Sequence, residues 1–131
     1  MSHPFAVQKA MDSLLLPALE ALTPSVPVYD MAPAGAAYPF VEFVRKTKIP
    51  DNELAAGMSR IQVTLAVWSD YHGQSQVDRI LTVIESTLDD ASLVLDEGQC
   101  VSCNLDRSDV VRDQDGMTYT GTIFFTAIVH D

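Results

Sequence analysis

The chain has 131 residues, 47% of them hydrophobic, and a formal net charge of −10, with eight Lys and Arg against 18 Asp and Glu. That size suits one domain burying roughly two thirds of its unfolded surface, and so few scattered cations cannot supply the phosphate-neutralising footprint of a nucleic-acid binder. No run of about 18 apolar residues is present to span a bilayer, and "MSHPFAVQKAMDS" lacks the basic start and apolar core of a signal peptide; a soluble, intracellularly made protein that self-assembles or binds a protein partner is the expectation.

The first expected element is a helix, with Ser2 as a cap, Pro4 in the first turn, and Phe5, Val7, Met11, Leu14, Leu15, Ala18, Leu19 and Leu22 at helical spacing. Pro17 predicts a kink or a new start near Leu16, and Thr23-Pro24 ends the helix. "VPVYDM" (26–31) reads as a short strand that Pro27 demotes to an edge. "PFVEFVRKT" (39–47) is a better strand, and "SRIQVTLAVWS" (59–69) is the most regular, with Ile61, Val63, Leu65 and Val67 on one face and Gln62, Thr64, Ala66 and Trp68 on the other. "KIPDNELAAGM" (48–58) between them is longer than most hairpin loops, and Asn52 to Ala56 has room for a helical turn.

"GQSQVDRILTVIESTLDD" (73–90) predicts a second helix whose stripe is Val77, Ile80, Leu81, Ile84 and Leu88. A short strand is expected near Leu93 to Leu95. "QCVSCNLDRSDVV" and "MTYTGTIFFTAIV" then form a hairpin turning at Asp115-Gly116. Together these elements predict a single α+β domain, a mainly antiparallel sheet with two helices packed on it.

Chemical motifs are weak. Cys100 and Cys103 have the spacing of a redox or zinc pair, but they lie within a strand reading rather than before a helix, and no second ligand pair follows. On a regular strand they point to opposite faces, Cys103 with Val101 and Leu105 and Cys100 with Ser102 and Asn104, so two reduced thiols are expected. His3, His72 and His130 are scattered without metal spacing. Asp113-Gln-Asp115-Gly116 opens like a calcium loop, yet the closing position is Phe124, so it reads as a hairpin turn. No nucleophile elbow or phosphate loop occurs; no catalytic, metal or cofactor residue is expected.

Charge is segregated. Arg45, Lys46, Lys48 and Arg60 cluster, while Asp89, Asp90, Asp96, Glu97, Asp106, Asp109, Asp113 and Asp115 crowd another region. Two readings stand: solvated surface, or complementary patches, Arg45 to Lys48 with Arg60 against Asp89, Asp90, Asp96 and Glu97, that meet between subunits. "VYDMAPAGAAYPFVEF" (28–43) is a second candidate, because Pro27, Pro33 and Pro39 remove donors at an exposed edge while Gly35, among alanines, permits close backbone approach. Pro33, Gly35 and Tyr38 are then the lip of an interface, the alternative being a plain edge-protected turn.

The order of these motifs resembles the tail-terminator, or tail-completion, family of long-tailed bacteriophages and gene transfer agents. The likeness runs over nearly the whole chain and is sharpest at Pro33 to Val41 and in "VWSDYHGQSQ", where an aromatic strand end passes through a Gly-containing turn into a helix. It implies a structural, non-enzymatic virion protein at the junction of tail and neck, made in the host cytoplasm. Such a protein forms a hexameric ring on the tail tube, stops tube polymerisation and meets a head-tail connector, with DNA passing through unbound. It also makes the loop 48–58, with Asp51, Asn52 and Glu53, the candidate contact to tube or connector, the alternative being a mobile loop whose deletion is harmless. The alternatives are a neck or head-completion ring on the portal, and a small dimeric α+β ligand-binding regulatory domain.

Overall fold

The computed structural model describes residues 3–23, 25–50, 57–71, 73–96 and 98–130. Ser2, Pro24, the 51–56 segment with Asp51, Asn52, Glu53 and the expected helical turn, His72, and Glu97 lie outside the described residues.

Helix α1 (His3–Glu20) carries Val7, Met11, Leu15 and Leu19 at every fourth position, and all are fully buried. It continues through Pro17 as one helix, so no new start occurs near Leu16. Pro17 removes only its own donor, and burial of Leu15 and Leu19 on either side of it holds the register. Helix α2 (Ser75–Leu88) buries the whole predicted stripe of Val77, Ile80, Leu81, Ile84 and Leu88.

Five strands, β1 (Val28–Tyr29), β2 (Phe40–Pro50), β3 (Met58–Ser69), β4 (Gln99–Arg112) and β5 (Tyr119–His130), form one sheet in the order β1-β2-β3-β5-β4. The expected α+β arrangement holds: all pairings are antiparallel except the short parallel one between β1 and β2. β1 is at the edge, as Pro27 requires, but it is shorter than the predicted strand. β2 runs on to Pro50, pairing Lys48 with Ile61 and Pro50 with Ser59, so the first three residues of the connection anticipated over 48–58 are ladder, as is Met58 at its end. Leu93 to Leu95 form no strand; Leu93 is instead tucked into the core.

Both helices lie on one face of the sheet. There Ile61, Val63, Leu65 and Val67 of β3 and Ile123, Phe125, Ala127 and Val129 of β5 complete a single core. The opposite face carries Gln62, Thr64, Thr122, Phe124 and Thr126, partly exposed.

The cysteines correct the regular-strand reading. A β-bulge between Cys100 and Ser102 sets Cys100 opposite Val129 and Cys103 opposite Ala127, so both thiols face the helices and Val101 is the exposed residue. Burial raises both thiol pKa values, and that of Cys103 is pushed up to about 12, with Cys100, Asp89 and Asp106 adding to it. With the thiolate as the reactive form, Cys103 is expected to resist iodoacetamide at pH 8 until the chain is unfolded; mass-spectrometric counting of alkylated thiols with and without urea checks this.

Where α1 meets the loop after β1, burial first and the Asp30 charge second raise the Asp12 pKa. A carboxyl whose folded pKa lies above its unfolded 3.8 loses stability as pH rises through that interval. Asp12→Asn is therefore expected to raise the melting temperature at pH 7, and the gain to vanish below about pH 3.8, which thermal scans across pH will read.

Candidate functional site

The bulge between Phe43 and Arg45 decides how the basic cluster is displayed. It places Arg45 opposite Thr64 and Thr47 opposite Gln62, on the face away from the helices, while Lys46 and Lys48 stand opposite Val63 and Ile61 on the helix side. Lys46 is exposed but already bonded within the subunit. Its Nζ donates to Gln8 Oε1 of α1, and Gln8 Nε2 donates to Asp30 Oδ1 at 2.9 Å, tying β2 to the helix and to the loop after β1. Arg45 and Lys48 are exposed, and neither has a carboxylate partner among the described residues. Arg60, opposite Ile49 and Ile128, completes the basic side.

The acids divide in the same way. Asp96 accepts from Lys9 Nζ at 2.7 Å, an exposed pair within the subunit, worth little in energy. Asp89 and Asp90 end α2 and close part of the outer edge of β4: Asp89 Oδ1 accepts the Leu105 N–H at 2.8 Å, and the Asp90 N–H donates to the Cys103 carbonyl at 2.7 Å. Asp90 takes a φ of +58° to do so, a conformation that Asp tolerates better than most residues. Asp113 and Asp115 are consumed by the β4–β5 turn, where their carboxylates accept from the Thr118 and Thr120 hydroxyls and Asp115 also accepts the Met117 and Thr118 N–H groups. Those bonds lower the Asp115 pKa. Asp106 and Asp109 stay exposed on β4, Asp106 receiving the Thr126 hydroxyl and Asp109 a long 3.4 Å contact from Arg107, whose guanidinium lies 4.2 Å over the Phe124 ring.

The strand order thus puts Arg45 and Lys48 on β2 near one side of the sheet and Asp106 and Asp109 on the opposite edge. Between them, on the face away from the helices, lies an open hollow of about 320 Å³ flanked by Arg45 and Arg107 and floored by Gln62, Thr64 and Phe124.

The proline-guarded lip has its own geometry. Gly35 takes a φ of +78° inside a turn closed by Ala36 N–H to Pro33 carbonyl at 3.0 Å, and a Cβ there would meet nothing within 4 Å. Glycine is therefore required by the turn itself, and no close backbone approach exists within the subunit. Pro33 and Tyr38 are exposed beside it. Tyr38 stacks on Phe40, which also packs on Trp68 and meets Tyr29 edge-on, at centroid distances of 5.6, 5.2 and 5.8 Å. This aromatic run was not singled out from sequence, though Trp68 on the non-core face of β3 was its visible signal. Met31, 83% exposed, extends the same end.

Among the described residues no group of three or more His, Cys, Asp or Glu is placed to hold a metal, and no helix is long and apolar enough to cross a membrane. The candidate site is a pair of charged strand edges and an aromatic lip on one sheet. The sequence profile described as "Tail completion protein gp17" matches residues 9–130. The chain belongs to the tail completion protein gp17 family. In fold it is similar to a chain of the virion of a native gene transfer agent particle, at 20% identity and a TM-score of 0.76, with 97% of this chain and 99% of that one covered. It is also similar to the gp17 protein of bacteriophage SPP1, at 18% identity and a TM-score of 0.55, covering 95% and 91%. No curated protein matches. The tail-completion family is a structural one, and both its α+β fold and the expected membership are shown by these likenesses.

Proposed function

We propose that this protein is the tail terminator of a long-tailed phage or gene transfer agent. It forms a hexameric ring on the last ring of the tail tube, stops polymerisation, and offers its other side to the head-tail connector at the tail-neck junction. DNA passes through the ring without being specifically bound, and the chain catalyses nothing.

The observation that carries this reading is the family match over residues 9–130. The edges agree with it. A closed ring needs two different complementary patches per subunit, and the basic residues of β2 and the acidic residues of β4 lie on opposite sides of one sheet. Asp51, Asn52 and Glu53, in the connection between β2 and β3, are proposed to touch tube or connector, and Pro33, Gly35 and Tyr38 a neighbouring subunit.

The test is tube capping. Purified protein added to elongating tail tubes is expected to halt growth at one end, visible by negative-stain electron microscopy as shorter tubes with a ring at one tip. Tubes of unchanged length, with no density at either tip, would overturn the proposal; rings found only on portal-bearing heads would favour a neck protein instead.

A further inference from the structure

We infer that neighbouring subunits join through their sheets, the outer edge of β2 in one copy pairing antiparallel with the outer edge of β4 in the next. The inference rests on the ring reading and says how the ring is sealed.

Both edges are open where it matters. β1 covers β2 only at Val41 and Glu42, leaving the outer edge from Phe43 to Pro50 without a strand among the described residues. On β4, Asp89 and Asp90 close Cys103 to Leu105, while Asp106 to Arg112 have no outer strand. The two stretches are about 26 and about 23 Å long at the usual rise per residue. Unpaired backbone donors and acceptors over that length are a template for another strand.

Strand direction selects the pairing. β2, β3, β5 and β4 alternate all the way across, so β2 and β4 run in opposite directions. A copy rotated about an axis along the strands brings its β2 beside β4 in antiparallel sense, repeating the ladder already inside the subunit. Pairing β2 with a second β2 would oppose like charges and leave both β4 edges open; the β2–β4 seam is head-to-tail and can close.

Charge selects the register. An antiparallel register that sets Arg45 opposite Asp109 joins a basic and an acidic side chain across the seam; Lys48 and Asp106 then lie level along the backbone but on different faces, Lys48 on the helix side and Asp106 bonded to Thr126 on the other, and do not pair. Arg45 and Asp109 already share the sheet face away from the helices, opposite Thr64 and Thr122, as directly paired residues must.

Arg45→Cys and Asp109→Cys variants, mixed and incubated with tail tubes under mild oxidation, are expected to give an interchain disulfide dimer on a non-reducing gel, and the double variant a ladder ending at the ring's copy number. In parallel, Arg45→Asp and Asp109→Arg should each lose rings by native mass spectrometry, and the combined swap should regain them. Rings that assemble without the mixed disulfide, or that cross-link Arg45→Cys to itself, would overturn the seam and leave the ring standing. A wild-type chain that never forms rings on tubes would overturn both.

Discussion

Phe125→Ala is expected to lower the free energy of unfolding by about 3–5 kcal/mol, the range for deleting a buried aromatic ring from a core that cannot fully collapse. Phe125 has no exposed surface and sits on β5, the strand that pairs with both β3 and β4, directly opposite Val63 and Leu105. Its ring fills the space between the sheet and the helices, with Leu65, Ile123 and Ile84 among the other fully buried side chains of the same cluster. Domains of this kind have about 5–15 kcal/mol of stability in total, so the variant is expected to be partly unfolded at room temperature or to unfold in much less urea. Phe125→Leu, which keeps most of the volume, should cost less than half as much. Urea titrations followed by circular dichroism read both. Equal losses in the two variants would mean that ring shape, and not volume, governs the site.

Much of the fold was legible because its helices and central strands bury regular stripes. Val77, Ile80, Leu81, Ile84 and Leu88 repeat at helical spacing and all go inside; Ile61, Val63, Leu65 and Val67 alternate and do the same. The errors lie where a non-local partner decides. The polar segment from Lys48 to Pro50 reads as loop by composition, but its ladder to Ser59 and Ile61 is a cross-strand fact that local pattern does not carry. Cys100 and Cys103 read as facing apart because a period of two assumes no extra residue, and the bulge at Val101 supplies one.

The site was half legible for the same reason. Charge segregation is visible in the chain, but its meaning depends on β5 lying between β3 and β4, which places the two clusters on opposite sides of the sheet. Lys46 and Asp96, grouped with the interface residues by sequence proximity, are held by Gln8 and Lys9 of α1, contacts across long chain separations. Asp89 and Asp90 prove to be a cap on β4 before they are anything for a neighbour.

Gly121→Val is expected to be the second most damaging single change. Gly121 lies on β5 beneath α2, and a Cβ built on it would come within 2.6 Å of Val77 Cγ1 and 3.0 Å of Leu81 Cδ1. Both neighbours are buried, Val77 completely and Leu81 almost so, and Val77 is β-branched with little rotamer freedom in a helix. A side chain there must push α2 off the sheet or force strained rotamers, which costs about 1–3 kcal/mol for overpacking by alanine and more for valine. The same displacement would carry away Asp89 and Asp90, so the cap on Leu105 and Cys103 should loosen with it. Amide hydrogen exchange at Leu105 is the local readout, expected to quicken more in Gly121→Val than global destabilisation alone accounts for. The control is Val77→Ala, which removes the clashing methyl groups: in that background Gly121→Ala should cost markedly less than in the wild type, a coupling that denaturation of the double-mutant cycle measures directly. Additive costs would show that the clash is relieved elsewhere, through movement of the strand and not through the packing of α2 on Gly121.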